Sequence, residues 1–314
     1  MYHLATLAPP ITRFRLPFSR DQLMLLLAAV NEIFLGIDIY LAHSISGTIV
    51  PYEWIPIIYG PVAGVVLLVA GVIALRARPV ATLLATIVLV GSIVVGLLGA
   101  YFHLARASLP SGPEGERLTV QLLVWGPPVM GPLMFAFVGL WGLSAAWVED
   151  PPDSGRLRMP GGRMLRLPLS KTRAYLLMFS LAALSTVLSS VLDHARTQFE
   201  NPWLWLPTVV GVFATIVGFH MAVLERPHRY DVAIFVFTIA LLVITGLIGT
   251  VLHIDDSLTS RGQFVAERFI RGAPIMAPML FANIGAFGLL ILLDPRSEVL
   301  VKEESAPPVA RQRE

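Results

Sequence analysis

Eight apolar stretches dominate this chain, at 22–43, 57–75, 81–104, 120–147, 174–194, 205–224, 232–253 and 273–293. A helix needs about 20 mostly apolar residues to cross a bilayer, and inside the hydrocarbon it must pair its own backbone N–H and C=O groups. Eight runs of this length leave little but a bundle of spanning helices. Composition agrees. Only 14% of the 314 residues are charged, and mean hydropathy is +0.73, whereas soluble domains carry about 25% charged residues. The first run, from Leu23, is too long for the apolar region of a signal peptide and lacks a small-residue cleavage site. The absence of cysteine excludes disulfides, thiolate metal centres, iron–sulfur clusters and c-type haem attachment.

Basic residues orient the spans. The segment 1–21, the second-to-third loop (Arg76, Arg78), the linker 148–172, the sixth-to-seventh loop (Arg226, Arg229) and the tail 295–314 all lie on one side. With Arg173 they hold 17 of the 23 basic residues. The rule therefore predicts a multi-pass protein of the cell (inner) membrane with both termini cytoplasmic. The Pro-, Gly- and Arg-rich linker divides the membrane part into 22–147 and 173–294.

These two parts repeat one another. RLPFSR (15–20) returns as RLPLSK (166–171), WIP (54–56) as WLP (205–207), and GPPVMGPLMF (126–135) as GAPIMAPMLF (272–281). The matches are collinear, at offsets drifting from 151 to 146. The expected fold is therefore two tandem four-helix-bundle repeats. An even number of spans per repeat gives both the same orientation, related by an axis along the membrane normal, unlike inverted-repeat transporters.

The duplication selects four of the seven histidines. His43 ends the first span and His194 the fifth; His103 ends the third and His253 the seventh. All four spans run the same way, so the imidazoles should share one depth at the outer face. Beneath them lie small residues. Gly96 and Gly99 are seven and four residues before His103, and Gly246 and Gly249 stand likewise before His253. Gly36 is seven residues before His43, and Ser190 four before His194. Such a strip leaves room for a flat macrocycle ligated from above, or lets two helices pack closely.

Paired imidazoles in a four-helix bundle suit bis-histidine ligation of haem b, with His43 facing His103 and His194 facing His253. The reading is an electron-transfer protein near the outer face, as the membrane subunit of a redox complex, with other redox subunits or quinone as partners besides the lipid bilayer. Two alternatives stand. One is a metal-handling or transport protein holding copper, iron or zinc on the four histidines. The other is a non-catalytic scaffold with glycine packing faces. The duplicated plan, with a histidine pair in each half, resembles haem A synthase. The resemblance covers architecture and no motif: in that family the first histidine of each pair lies in a second span, within a Glu-containing motif, whereas His43 and His194 end first and fifth spans.

Other polar residues invite roles. Glu32, Gly36 and His43 form one stripe, a candidate proton path. Asp38 shares a face with Asn31. Gln121 and Glu267 correspond in the repeat and should be level with the histidines as supporting groups. Pro128, Pro132, Pro274 and Pro278 should kink the fourth and eighth spans, where Met130, Met134, Met276 and Met279 either pack or ligate. No nucleotide fingerprint or nucleophilic triad is present, and topology accounts for the basic residues without nucleic acid.

Overall fold

Hydropathy becomes helix in six places. In the computed structural model, which describes residues 3–10, 17–44, 47–108, 119–259, 267 and 274–293, the long helices are α1 (Arg20–Ser44), α2 (Trp54–Ala74), α3 (Arg78–Ser108), α6 (Lys171–Ala195), α7 (Trp205–Val223) and α8 (Arg229–Thr259). Each belongs to a segment long and apolar enough to cross a membrane. The 25 residues of α1 extend for roughly 37 Å at 1.5 Å per residue, more than a hydrocarbon core of about 30 Å. Their large exposed side chains are apolar, for example Val72, Ile87, Ile216 and Val251, as contact with lipid requires.

The fourth stretch does not form one helix. It divides into α4 (Val120–Trp125) and α5 (Met130–Ala146), with Gly126–Val129 between them. The cause is local: Pro127 and Pro128 carry no N–H, and the residue before a proline is pushed out of the helical region. Gly126 is accordingly extended, at φ −79° and ψ 179°. The break replaces the expected kink and leaves α5 with 17 residues. Its counterpart α9 (Met276–Ile291) has 16.

Neighbours follow the chain. α1 packs on α2, α2 on α3, α3 on α5 and α5 back on α1. Likewise α6 packs on α7, α7 on α8, α8 on α9 and α9 back on α6. Thus α1 and α3 are diagonal in one set, and α6 and α8 in the other. The sets meet through α5 with α6 and α1 with α9, around a core holding Phe135, Trp141, Tyr175, Phe179, Phe281 and Phe287. Trp141 stacks on Phe287 with ring centroids 4.6 Å apart. Asn31 and Asn283 exchange amide hydrogen bonds of 3.1 and 2.6 Å across the same seam. Asn31 therefore pairs with the other set and not with Asp38.

At the basic end, residues that read as topology markers are buried. Arg20 is 2% exposed and Lys171 0%. The Lys171 ammonium donates to the Asp21 carboxylate and to Trp147 O at 2.8 Å, and Arg20 donates to Thr172 Oγ1 at 2.8 Å. The linker adds an unexpected antiparallel ribbon of β1 (Val148–Glu149), β2 (Arg156–Arg158) and β3 (Met164–Arg166). Its β2–β3 turn uses Gly161 and Gly162 at φ +76° and +78°, values that L side chains rarely adopt.

Candidate functional site

The site begins with two prolines four residues apart. In a helix, the N–H of Pro132 would close on the carbonyl of Pro128; proline has none, and its ring pushes that carbonyl aside. The freed oxygen accepts a hydrogen bond from His103 Nδ1 at 2.9 Å. Pro278 stands in the same relation to Pro274, whose carbonyl accepts from His253 Nδ1 at 2.9 Å. Pro274 O also takes the Ala277 N–H at 3.3 Å, using its second lone pair. The repeated P-x-x-x-P spacing thus supplies a carbonyl to each histidine. Sequence reasoning assigned these prolines only a kink. The signal was the four-residue spacing, which matches the helical hydrogen-bond step.

The glycine strips explain how the helices come close enough. A Cβ on Gly96 would lie 2.5 Å from Ala136 N, and one on Gly99 would lie 2.8 Å from Pro132 Cβ. On α8, a Cβ on Gly246 would meet Ala282 N at 2.6 Å, and one on Gly249 would meet Pro278 Cβ at 2.7 Å. Both strips are occupied by the proline helices, α5 and α9. Gly36 is covered in the same way by Pro61 and Ile57 of α2. Backbone cannot yield as a flexible side chain does. Gly96→Val is therefore expected to cost about 1–3 kcal/mol by overpacking, read as a lower thermal midpoint in mild detergent. An unchanged midpoint would mean that α5 does not seat there.

The histidines meet in the first set. His43 and His103 lie on diagonal helices, yet their ring centroids are 6.0 Å apart at an interplanar angle of 68°. His43 Nδ1 is 2.9 Å from Ile39 O. A carbonyl only accepts, so Nδ1 carries a proton in both rings, and in the neutral imidazole Nε2 presents a lone pair. Glu53 stands beside the pair, with Oε1 3.9 Å from His43 Nε2 and 3.9 Å from Arg106 Nη1. Glu53 is fixed by the Val50 N–H, which donates to its Oε2 at 2.9 Å. Sequence reasoning missed this carboxylate, which lies in a loop outside every repeat match. In the second set His194 and His253 are within electrostatic range of one another. His194 Nδ1 is 3.3 Å from Ser190 Oγ, and its ring meets Phe199 edge-on at 6.1 Å. All four histidines are half-buried.

Gln121 and Glu267 are exposed, and most residues around Glu267 are outside the described part. The Met130 sulfur accepts from Ser185 Oγ at 3.2 Å, Met134 is buried, and Met279 is exposed. Glu32 is fully buried among α1, α2 and α3. Among the described residues, no group of three or more His, Asp or Glu side chains is arranged to hold a metal ion. A cleft of about 370 Å³ opens at the basic end between Leu25, Leu67, Gly71, Arg78 and Ala146, a helix length from the histidines. No known protein family, curated protein or solved structure matches the chain.

Proposed function

We propose that this chain is a tandem pair of four-helix membrane units that binds haem b between His43 and His103, and between His194 and His253, and carries electrons at the histidine end. The observation that carries the reading is the His43–His103 geometry. Metal–imidazole bonds of about 2 Å on each side of an iron put the facing nitrogens about 4 Å apart and the ring centroids roughly 6 Å apart. The observed separation is 6.0 Å, with both Nδ1 atoms held by backbone carbonyls. A hydrogen bond on the far nitrogen is how ligating imidazoles are oriented. The ligand count also favours haem over a bare copper, iron or zinc ion. A porphyrin brings four nitrogens of its own and asks the protein for two, and two are what the first set brings together.

The duplication is supported by which residues meet at the seam. Arg20 and Lys171 correspond at offset 151, as do Asp21 and Thr172. Arg20 bonds Thr172 while Lys171 bonds Asp21, the reciprocal pattern of a two-fold interface. Trp141 and Phe287 correspond at offset 146 and stack on one another, as residues on a local two-fold axis must. In this reading both termini are cytoplasmic, the basic end faces inward, and the haem pairs lie toward the outer face, within reach of a redox subunit or quinone.

The test is a reduced-minus-oxidised absorbance spectrum of the purified protein, with a pyridine haemochrome assay on the same sample. A b-type signal supports the reading; a colourless protein made with ample haem supply overturns it. Pro132→Ala probes how the site is held. It returns an N–H that competes with His103 for Pro128 O, so haem affinity is expected to fall by about 10–100-fold, as when supporting groups of metal ligands are removed. Haem titration of the apoprotein reads this directly, and unchanged affinity would deny Pro128 O an orienting role.

A further inference from the structure

Glu32 sits halfway along α1, 12 residues from Arg20 and 11 from His43, or about 17 Å from each at 1.5 Å per residue. It is 0% exposed, and neither carboxyl oxygen has a hydrogen-bond partner. Its polar neighbours are Tyr59 of α2 and Ser92 of α3. Both hydroxyls already spend their protons on one acceptor: Tyr59 donates to Val88 O, and Ser92 donates to the same oxygen at 3.2 Å. What they still offer Glu32 is lone pairs. An ionised carboxylate accepts only and could draw just one donor, the Ser92 hydroxyl, by taking it from Val88 O, whereas a protonated one has an O–H to give to either hydroxyl.

The packed elements supply no counter-charge. Tyr59 is the one ionisable side chain of α2, and α5 and α9 contain none. The ionisable groups of α3, namely Arg78, Tyr101, His103 and Arg106, lie toward its ends. On α1 itself the nearest is Asp38, six residues away.

The duplication gives an independent control. At the repeat offsets of 151 and 150, Glu32, Tyr59 and Ser92 correspond to Ala183, Val210 and Leu242. All three counterparts are buried and apolar. The same helical frame therefore closes without polar groups in the second set. The three residues that differ together in the first set are the three that meet in space, so packing alone does not call for them.

We propose that Glu32, with Tyr59 and Ser92 as acceptors for its hydroxyl, is a proton-exchanging site in the middle of the first helical set. Its ligand is a proton, and the site does not depend on haem being bound. Infrared spectroscopy of the full-length protein in mild detergent tests it. The expected result is a neutral-carboxyl C=O stretch that is absent in Glu32→Gln, moves to lower frequency after transfer to D2O and bleaches as pH is raised. Tyr59→Phe and Ser92→Ala leave Glu32 in place and each remove an acceptor, so each is expected to shift that band without abolishing it. The proposal is overturned if wild type and Glu32→Gln do not differ in the C=O region. It is also overturned if the band ignores D2O and alkaline pH, if it stays unmoved in both acceptor variants, or if it bleaches on adding sodium chloride at fixed pH, which would make this a cation site.

Discussion

His103→Ala, purified in mild detergent after expression with ample haem, is expected to carry half the b-type absorbance of the parent protein. Ligand count sets this expectation. Each proposed haem would be held by two imidazoles on diagonal helices. Removing His103 would leave His43 alone to hold the first, with the carbonyl of Pro128 no longer engaged by an imidazole N–H. The pair on α6 and α8 shares no residue with it, so the second haem is expected to stay. His253→Ala should remove the other half, and the double variant should be colourless. The fold should survive, because His103 is half-buried at a helix end, and alanine there leaves an oxygen that loop water can reach. A parent spectrum with haem that neither substitution reduces would sink the pairing. An uncoloured parent would turn attention to metal analysis, and the glycine strips would then be packing faces with no cofactor above them.

The apolar helices were legible in the sequence, for physical reasons that also explain what was not. Six long helices follow from hydropathy because a lipid-facing helix must be apolar along its whole length, as α2 and α7 are. The four histidines could be picked out because the repeat gave each a partner, and a repeat converts a weak signal into a matched pair. The glycines beneath them were visible, but their occupants were not: a gap on one helix says nothing about which neighbour fills it, and here Pro132, Ala136, Pro278 and Ala282 do. Glu53 lies in a loop before α2 with no counterpart at the repeat offset, so only the fold brings it to His43. The ribbon at 148–166 was unreadable because its strands have two or three residues, too few for any alternation to show. The burial of Arg20 and Lys171 was also hidden. Both count toward the positive-inside pattern, and a basic residue at a span end ordinarily faces water or lipid headgroups. Their burial arises because the same position in each set meets at the seam, which no single-helix pattern reveals.

That seam sets the second large expectation. Lys171→Ala is expected to destabilise the protein by about 3–5 kcal/mol, the usual result of removing one partner from a buried ion pair. The ammonium is fully buried and holds both Asp21 and Trp147 O. Its own backbone N–H bonds Glu149 Oε1 at 2.9 Å, and alanine would keep that contact. The substitution therefore removes the ammonium and its buried stem while sparing the backbone contact. Asp21 would be left with Arg20 Nε at 3.5 Å and the Tyr175 hydroxyl at 3.4 Å, both long for a buried carboxylate. Arg20 is itself committed to Thr172, so re-pairing with Asp21 would break the reciprocal contact and recover only part of the loss. Lys171→Met combined with Asp21→Leu removes this pair at similar volume but leaves the Arg20 guanidinium, 2% exposed, without its carboxylate. The double variant should therefore recover only part of the stability that Lys171→Ala loses. Thermal unfolding of the three proteins in the same detergent reads the contrast. Equal midpoints for parent and Lys171→Ala would mean that water or lipid headgroups already solvate Asp21, and the two helical sets would then be held by their other contacts, the aromatic stack, the asparagine pair and the Arg20–Thr172 bond among them.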